Sequence, residues 1–290
     1  SAESARQLAQ DLNLKFYTDC GVCGPVRDWI DQQLPGGKGT SVAVEKDSGY
    51  VIEQLFDTQG SSTYTYLLGC KATGEAVLVD PVLGMEDRDL TLLDERGFKL
   101  KYILNTHCHA DHVTSGKAIQ KVRPEVKTMI SEASGAKADV LLQDSDCIEF
   151  GRYALEAMAT PGHTYGCMTY VLRGPTAGSP HGRHAALAVF TGDTLLIRGC
   201  GRTDFQQGDS ATLYESVHQR IFTLPGTTQI YPGHDYRGRN VSSVEEERRF
   251  NPRLTKSRDD FVQLMAELKL PYPKLMDVAV PANLVDGAQS

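Results

Sequence analysis

Three imidazoles, a carboxylate and a thiol fall within eight residues of this chain, in the run Asn105-Thr106-His107-Cys108-His109-Ala110-Asp111-His112. Imidazole nitrogen and carboxylate oxygen together suit a borderline metal such as Zn or Fe better than Ca or Mg. Along an extended strand end the side chains alternate, so His107 and His109 project together while Cys108 faces away and is not a ligand. Asp111 and His112 are expected on the first turn of a following helix, facing the same hollow from its other wall. Three more candidates each follow a strand-like run and stand beside a glycine: His163 in Thr-Pro-Gly-His, Asp193 in Phe-Thr-Gly-Asp and His234 in Tyr-Pro-Gly-His-Asp-Tyr. Glycine at such places lets the backbone approach a metal closely. Singly, each reads equally well as a turn or capping residue. As a set they point to a metal centre.

Such a set needs a scaffold that ends several strands at one place. Strand-like runs at 50–56, 62–68 and 75–79, the last closed by Asp80-Pro81, read as consecutive antiparallel strands. A helix at 87–96, a strand at 101–104 and a helix at 111–122 follow. The second half repeats the alternation, with strands at 147–150, 154–159, 168–172, 186–190 and 229–231 and a helix at 210–222. Two later helices start near Ser243, where Glu246 completes a capping-box pattern, and near Ser257. From Leu270 the chain is punctuated by proline and is expected to be irregular. Two strand-rich halves, each with helices, imply an α/β fold of two face-packed sheets with helices outside.

The first 49 residues differ in texture. An amphipathic stretch at 4–14 leads to Cys20-Gly-Val-Cys23 and then to a predicted helix at 25–34, with Val26, Trp29, Ile30 and Leu34 at helical spacing. Residues 1–49 are therefore read as an extension and 50–290 as the catalytic body. The 290 residues carry a net charge of −7 with both signs interleaved and no basic block, which argues against a nucleic-acid partner. No run approaches the roughly 18 apolar residues of a membrane span, and the start shows neither a signal-peptide core nor an Arg-rich transit pattern, so a soluble protein is expected. Seven cysteines, scattered and odd in number, favour a reducing compartment over a disulfide framework.

With its unbroken His-x-His-x-Asp-His, the chain resembles the metallo-β-lactamase superfamily. Longer blocks sharpen the likeness: Asn105 to His112, Thr-Pro-Gly-His-Thr, the run from Phe190 to Gly208, Tyr-Pro-Gly-His-Asp-Tyr, Val-Glu-Glu-Glu-Arg and Val-Pro-Ala-Asn are similar to the persulfide dioxygenase (ethylmalonic encephalopathy protein) family. The resemblance covers about residues 51–287. It implies a four-layer αββα sandwich and oxidation of glutathione persulfide by O2 to sulfite and glutathione at one non-haem Fe(II) per chain. It implies iron ligands at His107, His163 and Asp193, a two-His, one-carboxylate set that leaves sites for both O2 and a substrate sulfur. His109, Asp111, His112 and His234 then become residues that orient ligands or substrate. Arg202 is a candidate clamp for a glutathione carboxylate, with a plain ion pair to Asp204 as its alternative, and Tyr236 for a hydrogen bond to substrate; Cys200 is a candidate pocket residue that reads more readily as a small buried hydrophobe. A homodimer and the mitochondrial matrix also follow from the resemblance, or the cytoplasm if the source is bacterial.

Some features depart from the family pattern. Neither Cys20-x-x-Cys23 nor the insertion at 174–184, with His181 and His184, is explained by the motifs, and both read as local structure. Asn240-Val-Ser242 matches a glycosylation sequon but is not expected to carry sugar. A glyoxalase II-like thioester hydrolase would use the same ligand types with two metals, but about 55 residues after His234 leave little for a separate glutathione-binding helical domain. A non-catalytic binding module would be signalled by a missing ligand, and none is missing.

Overall fold

The computed structural model describes residues 49–58, 60–175 and 186–288. The expectations for 1–48 and for His181 and His184 lie outside the described residues. The body Gly49–Ser290 holds two six-stranded sheets. In the first, β1 (Tyr50–Phe56), β2 (Tyr64–Cys70) and β3 (Glu75–Val79) run antiparallel, as expected, and β4 (Lys99–Leu104), β5 (Lys127–Ser131) and β6 (Val140–Leu142) continue in parallel. In the second, β7 (Cys147–Phe150), β8 (Tyr153–Ala159), β9 (Met168–Arg173) and β10 (Ala186–Gly192) are antiparallel neighbours. There β11 (Gln229–Pro232) adds in parallel to β10, and β12 (Ser242–Ser243) closes the edge.

Three apolar clusters define four layers. Tyr66, Leu68, Val77 and Val79 of the first sheet meet Phe150, Leu155, Tyr170 and Phe190 of the second. The strands' period of two sends the alternate residues outward. Leu67, Leu78 and Ile103 accordingly pack on α1 (Glu86–Glu95) through Leu93 and on α2 (Gly116–Val122) through Ile119. On the far side Val171, Val189 and Ile230 pack under α3 (Ser210–Ser216), α4 (Val244–Phe250) and α5 (Arg258–Glu267), through Leu213, Val244 and Phe261. This is the αββα sandwich. The helix expected at 210–222 is present but passes at Val217–Ile221 into a wider π turn.

Three sequence expectations fail for identifiable reasons. The helix expected from 111 begins only at Gly116, so Asp111 and His112 lie on a loop; the His112 carbonyl is bonded by Asn283 instead of by the next helical turn. The irregular tail contains α6 (Met276–Asn283) despite Pro281, because Met276, Ala279 and Asn283 form a buried stripe that outweighs one missing donor. At α4, Ser243 accepts from Glu246 N at 3.2 Å, but the Glu246 carboxylate turns to Arg198 instead of closing the box. The short strands β5 and β6 have no counterpart in the sequence reading.

Candidate metal centre

Residues 105–115 leave β4 and cross the mouth of the sandwich without forming a helix. The start of this loop is fixed by Asp80, which sits just after β3 at φ 51°; it accepts from Thr106 N at 2.7 Å and from Thr106 Oγ1 at 2.8 Å. Since the threonine hydroxyl gives its hydrogen to Asp80, its contact with His107 Nδ1 at 3.0 Å makes Nδ1 the donor. The Nε2 lone pair of His107 is then free to bind a cation. His163, after β8, repeats the device: its Nδ1 donates to Arg202 O at 2.7 Å, leaving Nε2 3.7 Å from Asp193 Oδ2. The ligand atoms of His107, His163 and Asp193 all lie within 4.8 Å of one another, and Asp193 Oδ1 is buried without a hydrogen-bond partner.

Beside this trio stands a second, His109, Asp111 and His112, with the same 4.8 Å spread. Its members are bonded to each other and to their surroundings. His112 Nδ1 lies 2.9 Å from Asp111 Oδ2, which also accepts from Thr63 Oγ1 at 2.9 Å, and His109 Nε2 lies 2.9 Å from Asp80 Oδ1. His109 Nδ1 and His112 Nε2 remain buried and unpartnered. His234, after β11, joins the trios: its Nδ1 meets Ser62 O at 3.1 Å, and its Nε2 lies 3.5 Å from Asp193 Oδ1 and 3.6 Å from Asp111 Oδ2.

Electrostatics separates the two groups. Burial, and then the neighbouring imidazoles His109 and His163, hold His107 well below the usual histidine range, so it is a neutral donor of an electron pair. Burial also works to lower His109 and His234, but it is outweighed by Asp80 for the first and by Asp193 and Asp111 for the second, and both pKa values are raised. Asp111 is desolvated too, yet His112 and His234 keep its carboxyl well below the ordinary range. Burial pushes the Cys108 thiol up to about 11, and its Sγ lies 3.8 Å from Val280 O. It stays protonated and belongs to neither trio.

The glycines beside the site serve close approach. A Cβ on Gly233 would stand 2.6 Å from Asp193 Oδ1; one on Gly201 would stand 2.4 Å from Asp193 O and 2.8 Å from His163 Nδ1. Of the substrate candidates, Tyr236 stacks on His234 with ring centroids 5.8 Å apart and is 74% exposed. Partial desolvation, and then the charges of Asp193 and Asp111, push its pKa up to about 12 and keep it a donor. Arg202 forks onto Asp204 at 2.6 and 2.7 Å, donates to Pro271 O at 2.8 Å and lies over Phe205. The Cys200 thiol is buried among core side chains, 3.9 Å from Met265 Sδ and 3.8 Å from Arg253 Nη1. Sequence reasoning missed Asp80, Thr106, Thr63 and Asn283. In sequence Asp80 reads only as a strand stop, although an acidic residue at a strand end beside a ligand run is itself a signal.

Comparison with known proteins is decisive at this point. The sequence model of the metallo-beta-lactamase superfamily matches residues 58–177. The chain is 52% identical to a Bos taurus protein named "Persulfide dioxygenase ETHE1, mitochondrial" over 240 residues, 83% of this chain and 90% of that one. It is 50% identical to the Homo sapiens protein of the same name over 88% of this chain and 92% of that one. The crystal structure of ETHE1 from Myxococcus xanthus matches with a TM-score of 0.75 and 46% identity, over 82% of this chain and all of that one. The chain belongs to the persulfide dioxygenase family. In this family member His107 and His163 fall inside the superfamily match, whereas Asp193 and His234 lie beyond it, just after β10 and β11.

Proposed function

We infer that the protein is a persulfide dioxygenase acting on glutathione persulfide, with one ferrous ion held by His107, His163 and Asp193. The observation that carries the metal assignment is the pair of outward-anchored imidazoles, each with Nε2 left free, beside a buried carboxylate oxygen that makes no hydrogen bond. A ferrous ion held by these three residues would supply binding for O2 and for the substrate's terminal sulfur. The balanced reaction takes one persulfide, one O2 and one water to glutathione, sulfite and two protons. The chain's own groups orient it. Tyr236 offers a hydroxyl hydrogen at the mouth, and His109 and His234 stay anchored to Asp80 and to Ser62 O. Arg202 would take a glutathione carboxylate in exchange for Asp204, an exposed partner whose ion pair is worth little in water. The relatives' names support placement in the mitochondrion. No helix among the described residues is long and apolar enough to cross a membrane.

The unpartnered His109 Nδ1 and His112 Nε2 favour a second reading, a dinuclear thioester hydrolase. Protein reconstituted anaerobically with Fe(II) should consume O2 and release sulfite when given glutathione persulfide, and leave S-lactoylglutathione intact. Two tightly held metals, thioester hydrolysis and no O2 uptake would reverse the assignment.

A further inference from the structure

The loop that carries the ligand run has no helical ladder, so its carbonyl groups must be satisfied from outside. Asn105 O accepts from Tyr170 Oη, Thr106 O from Met168 N, Cys108 O from Gln206 Nε2 and Val113 O from Leu83 N, each at 2.8 Å. His109 O and His112 O share one donor: Asn283 Nδ2 reaches them at 2.9 and 2.8 Å. The same carboxamide accepts from Thr114 N through Oδ1 at 2.9 Å. Both amide hydrogens and the carbonyl of Asn283 are thus spent on one loop, at a side chain only 4% exposed. Its orientation is unambiguous, since nitrogen faces two carbonyls and oxygen faces an N–H. The residue ends α6, the helix that the sequence reading did not anticipate.

We propose that Asn283 is a positioning residue for the metal centre: its carboxamide holds the His109, His112 and Thr114 peptides, and so preforms the His107–His112 ligand run before metal and substrate arrive. The proposal rests on the assignment of that run to a metal site. A purely structural role would be to anchor α6, and one control separates the two. Met276 is buried on the same helix and is remote in sequence from Asn283's bonds, so Met276→Ala loosens the helix by packing alone. Asn283→Asp is isosteric, keeps an acceptor for Thr114 N and sets a carboxylate against two carbonyls; Asn283→Ala removes all three bonds.

The test compares these full-length variants by amide exchange of the metal-free protein and by release of Fe(II) to a chelator. In both Asn283 variants, exchange across 109–114 should quicken, on the order of tenfold for one lost buried bond. Iron retention should fall roughly 10–100-fold, the range for groups that orient ligands. Met276→Ala, compared at equal loss of Tm, should leave both readouts near those of the parent chain. Equal shifts in all three variants, or no shift in the Asn283 variants, would overturn the proposal. The exchange measurement uses neither metal nor O2, so a parent protein that binds iron but consumes no O2 would count against the dioxygenase assignment and leave the clamp standing.

Discussion

The two trios contain the same chemical types and are equally tight, yet they are built differently. His107, His163 and Asp193 come from the ends of β4, β8 and β10, on both sheets, and none of them is hydrogen-bonded to another. His109, Asp111 and His112 come from one loop, and inside it His112 is bonded to Asp111. In the first trio the bonding partners are a hydroxyl and a backbone carbonyl, which fix a tautomer without bringing charge. In the second, Asp80 and Asp111 face His109, His112 and His234, so the charges largely balance from within. What the far nitrogen of each imidazole is bonded to decides whether the near one is ready for a cation.

The largest effect should come from removing the first trio's carboxylate while the second is left alone. Asp193→Ala should lose iron and at least roughly 100-fold in turnover, whereas Asp111→Asn should keep about one iron per chain and lose roughly 10–100-fold. Metal analysis alongside O2 uptake checks both, and equal loss of iron in the two variants would erase the distinction drawn between the trios. Gly201→Ala should follow, displacing His163 and costing roughly tenfold or more in iron affinity; Gly199→Ala, whose Cβ would meet only Leu196 Cβ at 3.9 Å, should be near neutral.

Asp80→Asn should have a smaller but informative effect. An amide there must present NH2 to one of its present donors, which frees the Thr106 hydroxyl hydrogen to turn toward His107 Nδ1 and favours the wrong tautomer. Turnover should drop roughly tenfold with the fold intact by circular dichroism. Tyr236→Phe should be mildest, a loss of roughly 3–10-fold for one neutral hydrogen bond. The sign of its pH dependence follows from the raised pKa: below about 12 the hydroxyl stays protonated, so the ratio of parent to variant turnover should be flat from about pH 6 to 10. A ratio falling through that window would mean that the tyrosine titrates and faces a different environment.

Much of this was legible along the chain. The strands at 50–56, 75–79 and 147–150 match the structure to the residue, because alternating apolar runs bounded by turn residues leave little ambiguity. His107, His163 and Asp193 could be singled out as a candidate ligand set because their surrounding motifs resemble a known family, and the structure brings their ligand atoms within 4.8 Å of one another. The Asp111–Ser115 segment could not be read correctly. Its local pattern permits a helix, and only the distant partners Asn283, Leu83 and Pro81 hold it as a loop. Arg202 reads in sequence as a carboxylate clamp or as a plain ion pair with Asp204; the fold shows that pair and adds, through the Arg202 carbonyl, a role in setting His163.

By itself, the sequence determined the ligand inventory, the family and the alternation of elements, since residue type and short-range spacing are properties of the chain alone. Only the tertiary structure decided which ligand atoms face inward and which peptides are held. Those depend on bonds between residues such as Asp80 and His109, or Asn283 and His112, that are brought together across the fold. A hydrogen bond acts over about 3 Å of space, and no spacing in sequence reports that distance.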